Sequence, residues 1–197
     1  KRYLEALDPG KVFFTAQDVA GFAKYQDRLD DAIKSGDVAP AWAIFSVYRQ
    51  RANERIAFAR GLLKGGFDFS GDDRYAFDRE DAPWAADSAA LDALWRQSVK
   101  NDWLRLKLAG KQPDEIRKTL DKRYANSLDT IAKLKGEDVF QSFLNAFAGA
   151  IDPHTDYLTP RSAANFNLTI SNSLEGIGAV LQPQDDMIVV RELVPGG

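Results

Sequence analysis

Two glycines near the C-terminus carry the most specific chemistry in this chain. They stand in Ser173-Leu-Glu-Gly-Ile-Gly-Ala-Val-Leu-Gln182. Gly176 and Gly178 permit positive φ and a close approach to the backbone. A loop of such small residues can turn several N–H groups toward one point, which suits a carboxylate. An ordinary glycine turn between a helix and a sheet accounts for the same residues, because glycine is common punctuation. Ser173 has the type of a nucleophile, but no Lys or His lies close to it and the Gly-x-Ser-x-Gly elbow is missing. Its expected role is hydrogen bonding at the end of a linker.

Other clusters of reactive types read more plainly. Asp152, His154 and Asp156 alternate like metal ligands, and His154 is the single histidine. They could hold zinc only on an extended backbone with all three facing one way. Pro153 and a turn intervene, so local side-chain hydrogen bonds are expected there, with no metal and no cofactor. Asp72, Asp73, Asp78, Glu80 and Asp81 miss the spacing of a calcium loop. Arg49, Arg51, Arg55 and Arg60 share one helix face. That face is expected to be solvated, with partners such as Glu54, and the alternative is a docking surface for an acidic partner.

The elements that must position these residues are mostly helical. Tyr3, Leu4 and Leu7 fall at helical spacing before Asp8-Pro-Gly10. Thr15 caps a first long helix, with Asp18 in the capping-box position and Val19, Phe22, Leu29 and Ile33 along it to Gly36. Pro40 opens a second, marked by Trp42, Phe45, Ala52, Ile56, Ala59 and Leu63 and ended by Gly65-Gly66. Phe67 to Pro83 lacks a helical period and reads as a small hairpin or an ordered loop pinned by aromatics. Asp87 or Ser88 caps a third helix through Leu91, Trp95, Val99 and Trp103 to Gly110. Pro113 starts a fourth through Ile116, Leu120, Tyr124 and Ile131 to Gly136. Asp138 caps a fifth with Val139, Phe140, Phe143 and Phe147, apolar on two sides and therefore expected to be central. The tryptophans are expected in the core. Thr159-Pro160 offers a further helix start. Ala179-Val-Leu and Met187-Ile-Val-Val190, split by Asp185-Asp186, read as a hairpin.

Composition sets the limits. A length of 197 residues suits one domain, or one domain and a piece of another. The net charge of −3 argues against a nucleic-acid surface. No apolar run approaches a membrane span, which leaves peripheral association at most. Zero cysteines exclude disulfides and thiolate metal sites.

The Asp152-Pro-His-Thr155 segment with Tyr157-Leu158 and Pro160, followed by Ser173 to Gln182, resembles the tail-specific proteases, also called C-terminal processing peptidases. Tyr3-Leu4, Leu7-Asp8 and the pair Phe13-Phe14 resemble the family's N-terminal entry. The resemblance implies a mainly α fold: a multi-helix domain over 1–170, then the first strands of a PDZ domain over 171–197. It implies that Gly176-Ile177-Gly178-Ala179 form a carboxylate loop and that Val180-Leu181-Gln182 receive a substrate tail. The substrate-binding set is then Leu174, Glu175, Gly176, Ile177, Gly178, Ala179, Val180 and Leu181. Segment 152–160 would be a hinge between the two parts. The chain stops at Pro195-Gly196-Gly197, before a PDZ groove could close, so the resemblance implies a non-catalytic fragment. The full-length relatives are serine endopeptidases with a Ser–Lys dyad beyond the PDZ domain. Expected partners are apolar C-terminal tails of exported proteins, with an adaptor on the helical domain, and the expected location is the periplasm. The rival expectation is a noncatalytic helical interaction module.

Overall fold

The computed structural model describes residues 1–28, 35–171, 178–184 and 187–194. The chain divides into two compact units, Lys1–Tyr157 and Leu158–Gly197. The first holds α1 (Arg2–Leu7), α2 (Ala16–Gly21), a 3-10 turn (Ala23–Arg28), α3 (Ala39–Leu62), α4 (Ser88–Leu108), α5 (Pro113–Lys133) and α6 (Gly136–Ile151). The second holds α7 (Pro160–Ser171) and an antiparallel pair, β1 (Ala179–Gln184) and β2 (Met187–Leu193). The mainly helical class expected from the sequence is therefore what the chain adopts.

Helix α3 organises the first unit. Pro40 sits in its first turn, and Asp37 Oδ1 accepts the Ala39 N–H at 2.9 Å. One end contributes Ala41, Ile44, Phe45 and Tyr48 to a cluster with Tyr3, Leu4, Phe14, Val139 and Phe143. The other end contributes Ile56, Ala59 and Leu63 to a second cluster with Val99, Trp103, Ile116, Leu120 and Tyr124. Ile131 packs against both. Helix α3 is thus the central element. The fifth helix of the sequence reading, α6, buries Val139 and Phe143 and leaves Ile151 exposed. Its apolar surface is wide, but it is docked along one side.

The segment between α1 and α2 is held by one carboxylate. Asp8 is fully buried and ends α1. Its Oδ1 accepts the Val12 N–H at 2.8 Å, and its Oδ2 accepts those of Phe13 and Phe14 at 2.8 and 2.9 Å. Lys11 takes a left-handed φ of 51° to let the chain wrap round it. Burial pushes the Asp8 carboxyl up, while the three N–H groups and Arg79 pull it down; burial is the larger influence. From outside, Trp95 Nε1 donates to the Val12 carbonyl at 2.7 Å and Arg79 Nε to that of Gly10 at 3.0 Å.

Helix α2 is shorter than its sequence pattern suggests. The capping box is formed: Thr15 Oγ1 accepts the Asp18 N–H at 3.1 Å and Asp18 Oδ2 accepts the Thr15 N–H at 3.0 Å. After Gly21 the chain tightens into the 3-10 turn, whose three-residue period sets Phe22 and Tyr25 on one side against the first cluster. Leu29 and Ile33 lie outside the described residues.

Asp18 also takes a two-pronged ion pair from Arg51 of α3, Nε to Oδ2 at 2.9 Å and Nη2 to Oδ1 at 2.8 Å. Burial alone would raise the Asp18 carboxyl, but Arg51 and the Thr15 bonds outweigh it and hold it below the usual carboxylate range. A depressed acid stabilises the fold above its unfolded value and ceases to as pH falls through its folded value. Arg51→Gln should therefore cost about 1–2 kcal/mol at neutral pH. That difference should shrink once the pH drops below about 4. Urea melts at a series of pH values measure both; an equal loss at pH 7 and at acid pH would refute the coupling.

The remaining helix ends follow their sequence signals. Asp87 caps α4, accepting the Ala90 N–H at 2.9 Å. Gly110, at φ 85°, closes its other end, with Gly110 N donating to Lys107 O and Lys111 N to Leu106 O at 3.0 and 3.1 Å. Helix α6 begins at Gly136, two residues before the expected cap. Asp138 acts from inside its first turn by accepting the Lys135 N–H at 2.8 Å. The loop 67–83 forms no strand and is pinned by rings, with Phe67 5.7 Å from Trp103 and Tyr75 5.2 Å from Phe77. Trp103 is buried, whereas Trp42 is 37% exposed on the rim of the first cluster, edge-on to Phe45.

Candidate functional site

Of the sequence-predicted binding residues, Gly178, Ala179, Val180 and Leu181 are described; Leu174, Glu175, Gly176 and Ile177 lie outside the described residues. Gly178 stands in the left-handed region at φ 66°, a conformation that a side chain would strain. Its carbonyl accepts the Val194 N–H at 2.8 Å, which fastens the start of β1 to the end of β2. The ladder then runs from Ala179 opposite Leu193 to Gln184 opposite Met187.

The register shifts between Val180 and Leu181, which face Glu192 and Val190, so Arg191 is the extra residue on β2. Among the described residues, β1 pairs along one edge only. Val180 and Leu181 are about half exposed. A strand with one unpaired edge and exposed apolar side chains has the donors, acceptors and surface that an added extended chain would use.

Upstream, Asp152 closes the turn after α6. Its Oδ1 accepts the His154 N–H at 3.0 Å, and its Oδ2 accepts the Thr155 hydroxyl at 2.8 Å. These bonds hold the Asp152 carboxyl below its ordinary value. Both oxygens are thus engaged locally, as the turn reading expects. Tyr157 is pinned to α6, its N–H on Asn145 Oδ1 at 2.6 Å and its ring 5.6 Å from that of Phe140. Thr159 starts α7, its Oγ1 accepting the Ser162 N–H at 3.3 Å.

Residues 1–161 match the family described as the tail specific protease N-terminal domain. The chain belongs to that family. It is also 41% identical over 196 residues to the tail-specific protease of Haemophilus influenzae (strain ATCC 51907 / DSM 11121 / KW20 / Rd), a match that takes in 99% of this chain. The chain spans 28% of that relative's length. The resemblance carried by Asp152 to Pro160 and Ser173 to Gln182 therefore names the right family. Among the described residues no helix is long and apolar enough to cross a membrane.

The arginine face of α3 is mostly committed within the tail-specific protease domain. Arg51 pairs with Asp18 and Glu54, Arg55 with Asp92 of α4, and Arg60 with Asp121 of α5 at 2.6 Å. These cations join helices, which goes beyond the solvated face the sequence suggests. Two features escaped sequence reading. One is Asp8, whose Asp-Pro-Gly context reads as a simple stop. The other is a row of cations on α4, scattered in sequence among the apolar residues that drew attention.

Proposed function

We propose that this chain is the helical and PDZ-opening region of a serine endopeptidase that reads apolar C-terminal tails of exported proteins. In this reading residues 1–170 form the helical domain and 171–197 begin the PDZ domain. Leu174, Glu175, Gly176, Ile177, Gly178, Ala179, Val180 and Leu181 bind the tail. Main-chain N–H groups of the loop hold its carboxylate, and β1 pairs with its backbone. The Ser–Lys dyad, with a neutral lysine as base, belongs to parts of the protein outside this chain. The helical domain steadies the reader and offers a face to an adaptor, and the protein works in the periplasm. The observation that carries the reading is Gly178, left-handed at the mouth of a strand that pairs along one edge only among the described residues.

The test is cleavage by the intact protein of one substrate made with either a free or an amidated C-terminus. Amidation should lower kcat/KM by about tenfold or more, since a charged hydrogen-bonding anchor is lost. Equal rates on the two substrates would refute carboxylate reading.

A further inference from the structure

A trough on the helical unit, remote in sequence from the tail-reading strand, has the charge and shape for a second kind of chain. It lies along α4, the C-terminal end of α3 and the segment that follows. Two adjoining hollows of about 610 and 720 Å³ share Gly65, Gly66, Phe67 and Asp68 as a common wall. Gly65, Gly66 and Gly110 line this surface as bare backbone, for a Cβ built on any of them meets nothing within 4 Å. Gly66 is left-handed at φ 68°, which keeps that position open to glycine above other residues.

The cations here are arranged in a line. Arg96, Lys100 and Lys107 of α4 are spaced by four and seven residues, so they share one face together with Trp103. Eleven residues of helix set the ends of that row about 16 Å apart. Lys100 is engaged by Asp73. Lys64, Arg96 and Lys107 are exposed and have no carboxylate partner among the described residues. Arg96 instead lies over the Phe58 ring at 5.8 Å and Lys107 over Phe69 at 4.9 Å. Cation-π stacking holds both heads in place while leaving their charge unneutralised. The whole chain carries −3, so this cationic row is a local reversal of sign.

We propose that this trough binds an acidic segment of a partner polypeptide in extended form. A row about 16 Å long matches roughly five residues of extended chain, and is far too spread for one compact anion. Asp68 and Asp73 interrupt the row. A nucleic-acid strand, with a phosphate on every residue, would meet both carboxylates. A peptide that alternates acids with aromatic or apolar residues places its charges on the lysines and arginine and its rings against Phe67 and Phe69.

The test is fluorescence anisotropy of the intact protein with a labelled peptide of alternating glutamate and tyrosine. The peptide carries an amidated C-terminus, so that tail reading plays no part. Saturable binding is expected, weakening with salt. The triple variant Lys64→Gln, Arg96→Gln, Lys107→Gln should bind about tenfold more weakly. Arg60→Gln, which removes a cation already paired with Asp121, should leave binding unchanged. Coincident thermal melts confirm that the variants fold. Absence of saturable binding, equal affinity in the triple variant, or the same loss in Arg60→Gln overturns the proposal. Binding of anionic phospholipid vesicles or single-stranded DNA without binding of the peptide overturns it as well.

Discussion

Asp8→Ala lowers the unfolding free energy of this chain by about 3 kcal/mol or more, because it strips one acceptor group from three main-chain donors at once. The Val12, Phe13 and Phe14 N–H groups each lie within 2.9 Å of that carboxylate, and Phe14 is fully buried. Water cannot replace the lost acceptor at Phe14 without opening the first cluster. Asp8→Asn should fall between, since it keeps one acceptor oxygen and turns the other into a donor. Urea denaturation followed by tryptophan fluorescence measures the loss. Trp95 reports on the segment directly, because its indole N–H holds the Val12 carbonyl. An alanine variant within about 1 kcal/mol of the parent would show that the segment holds its shape without the carboxylate.

Phe14→Ala should cost a comparable or larger amount, about 3–5 kcal/mol. Its ring is wholly shielded and lies 5.6 Å from Phe22, 6.0 Å from Tyr48 and 6.0 Å from Trp84. These three neighbouring rings come from three separate stretches of chain, so the void left by alanine has no single neighbour that can collapse into it. Phe14→Leu retains most of the volume and should cost about half as much or less. The same urea melts decide, with an unchanged slope expected for both variants. A loss below about 1 kcal/mol for alanine would mean that the cluster repacks freely.

Local signals made most of the helical layout legible. Pro40, Pro113 and Pro160 each stand in a first helical turn, as proline's fixed φ favours. Gly110 ends α4 with the left-handed residue that its position calls for. The Thr15–Asp18 capping box could be read directly from its spacing. What escaped was set by contacts distant in sequence. The pattern from Val19 to Ile33 reads as one helix, yet the first cluster pulls Phe22 and Tyr25 into a tighter turn. The width of the apolar stripe on α6 suggested a centre, but centrality depends on how many neighbours surround a helix, and that falls to α3. The arginine row on α3 looked like surface because its partners Asp92 and Asp121 come from other helices. In the C-terminal unit, Gly178 and the antiparallel pair were plain from residue type. The set of cations along α4 was not, because its members become a row only when wound on a helix beside the Gly65-Gly66 turn.

Helix α3 runs about 36 Å as a single rod through both apolar clusters. Its middle, at Ala52 and Arg55, is buried as well. The two clusters therefore share a beam and do not have independent foundations. The helical unit is thus expected to melt in one step, with fluorescence and circular dichroism tracing the same transition.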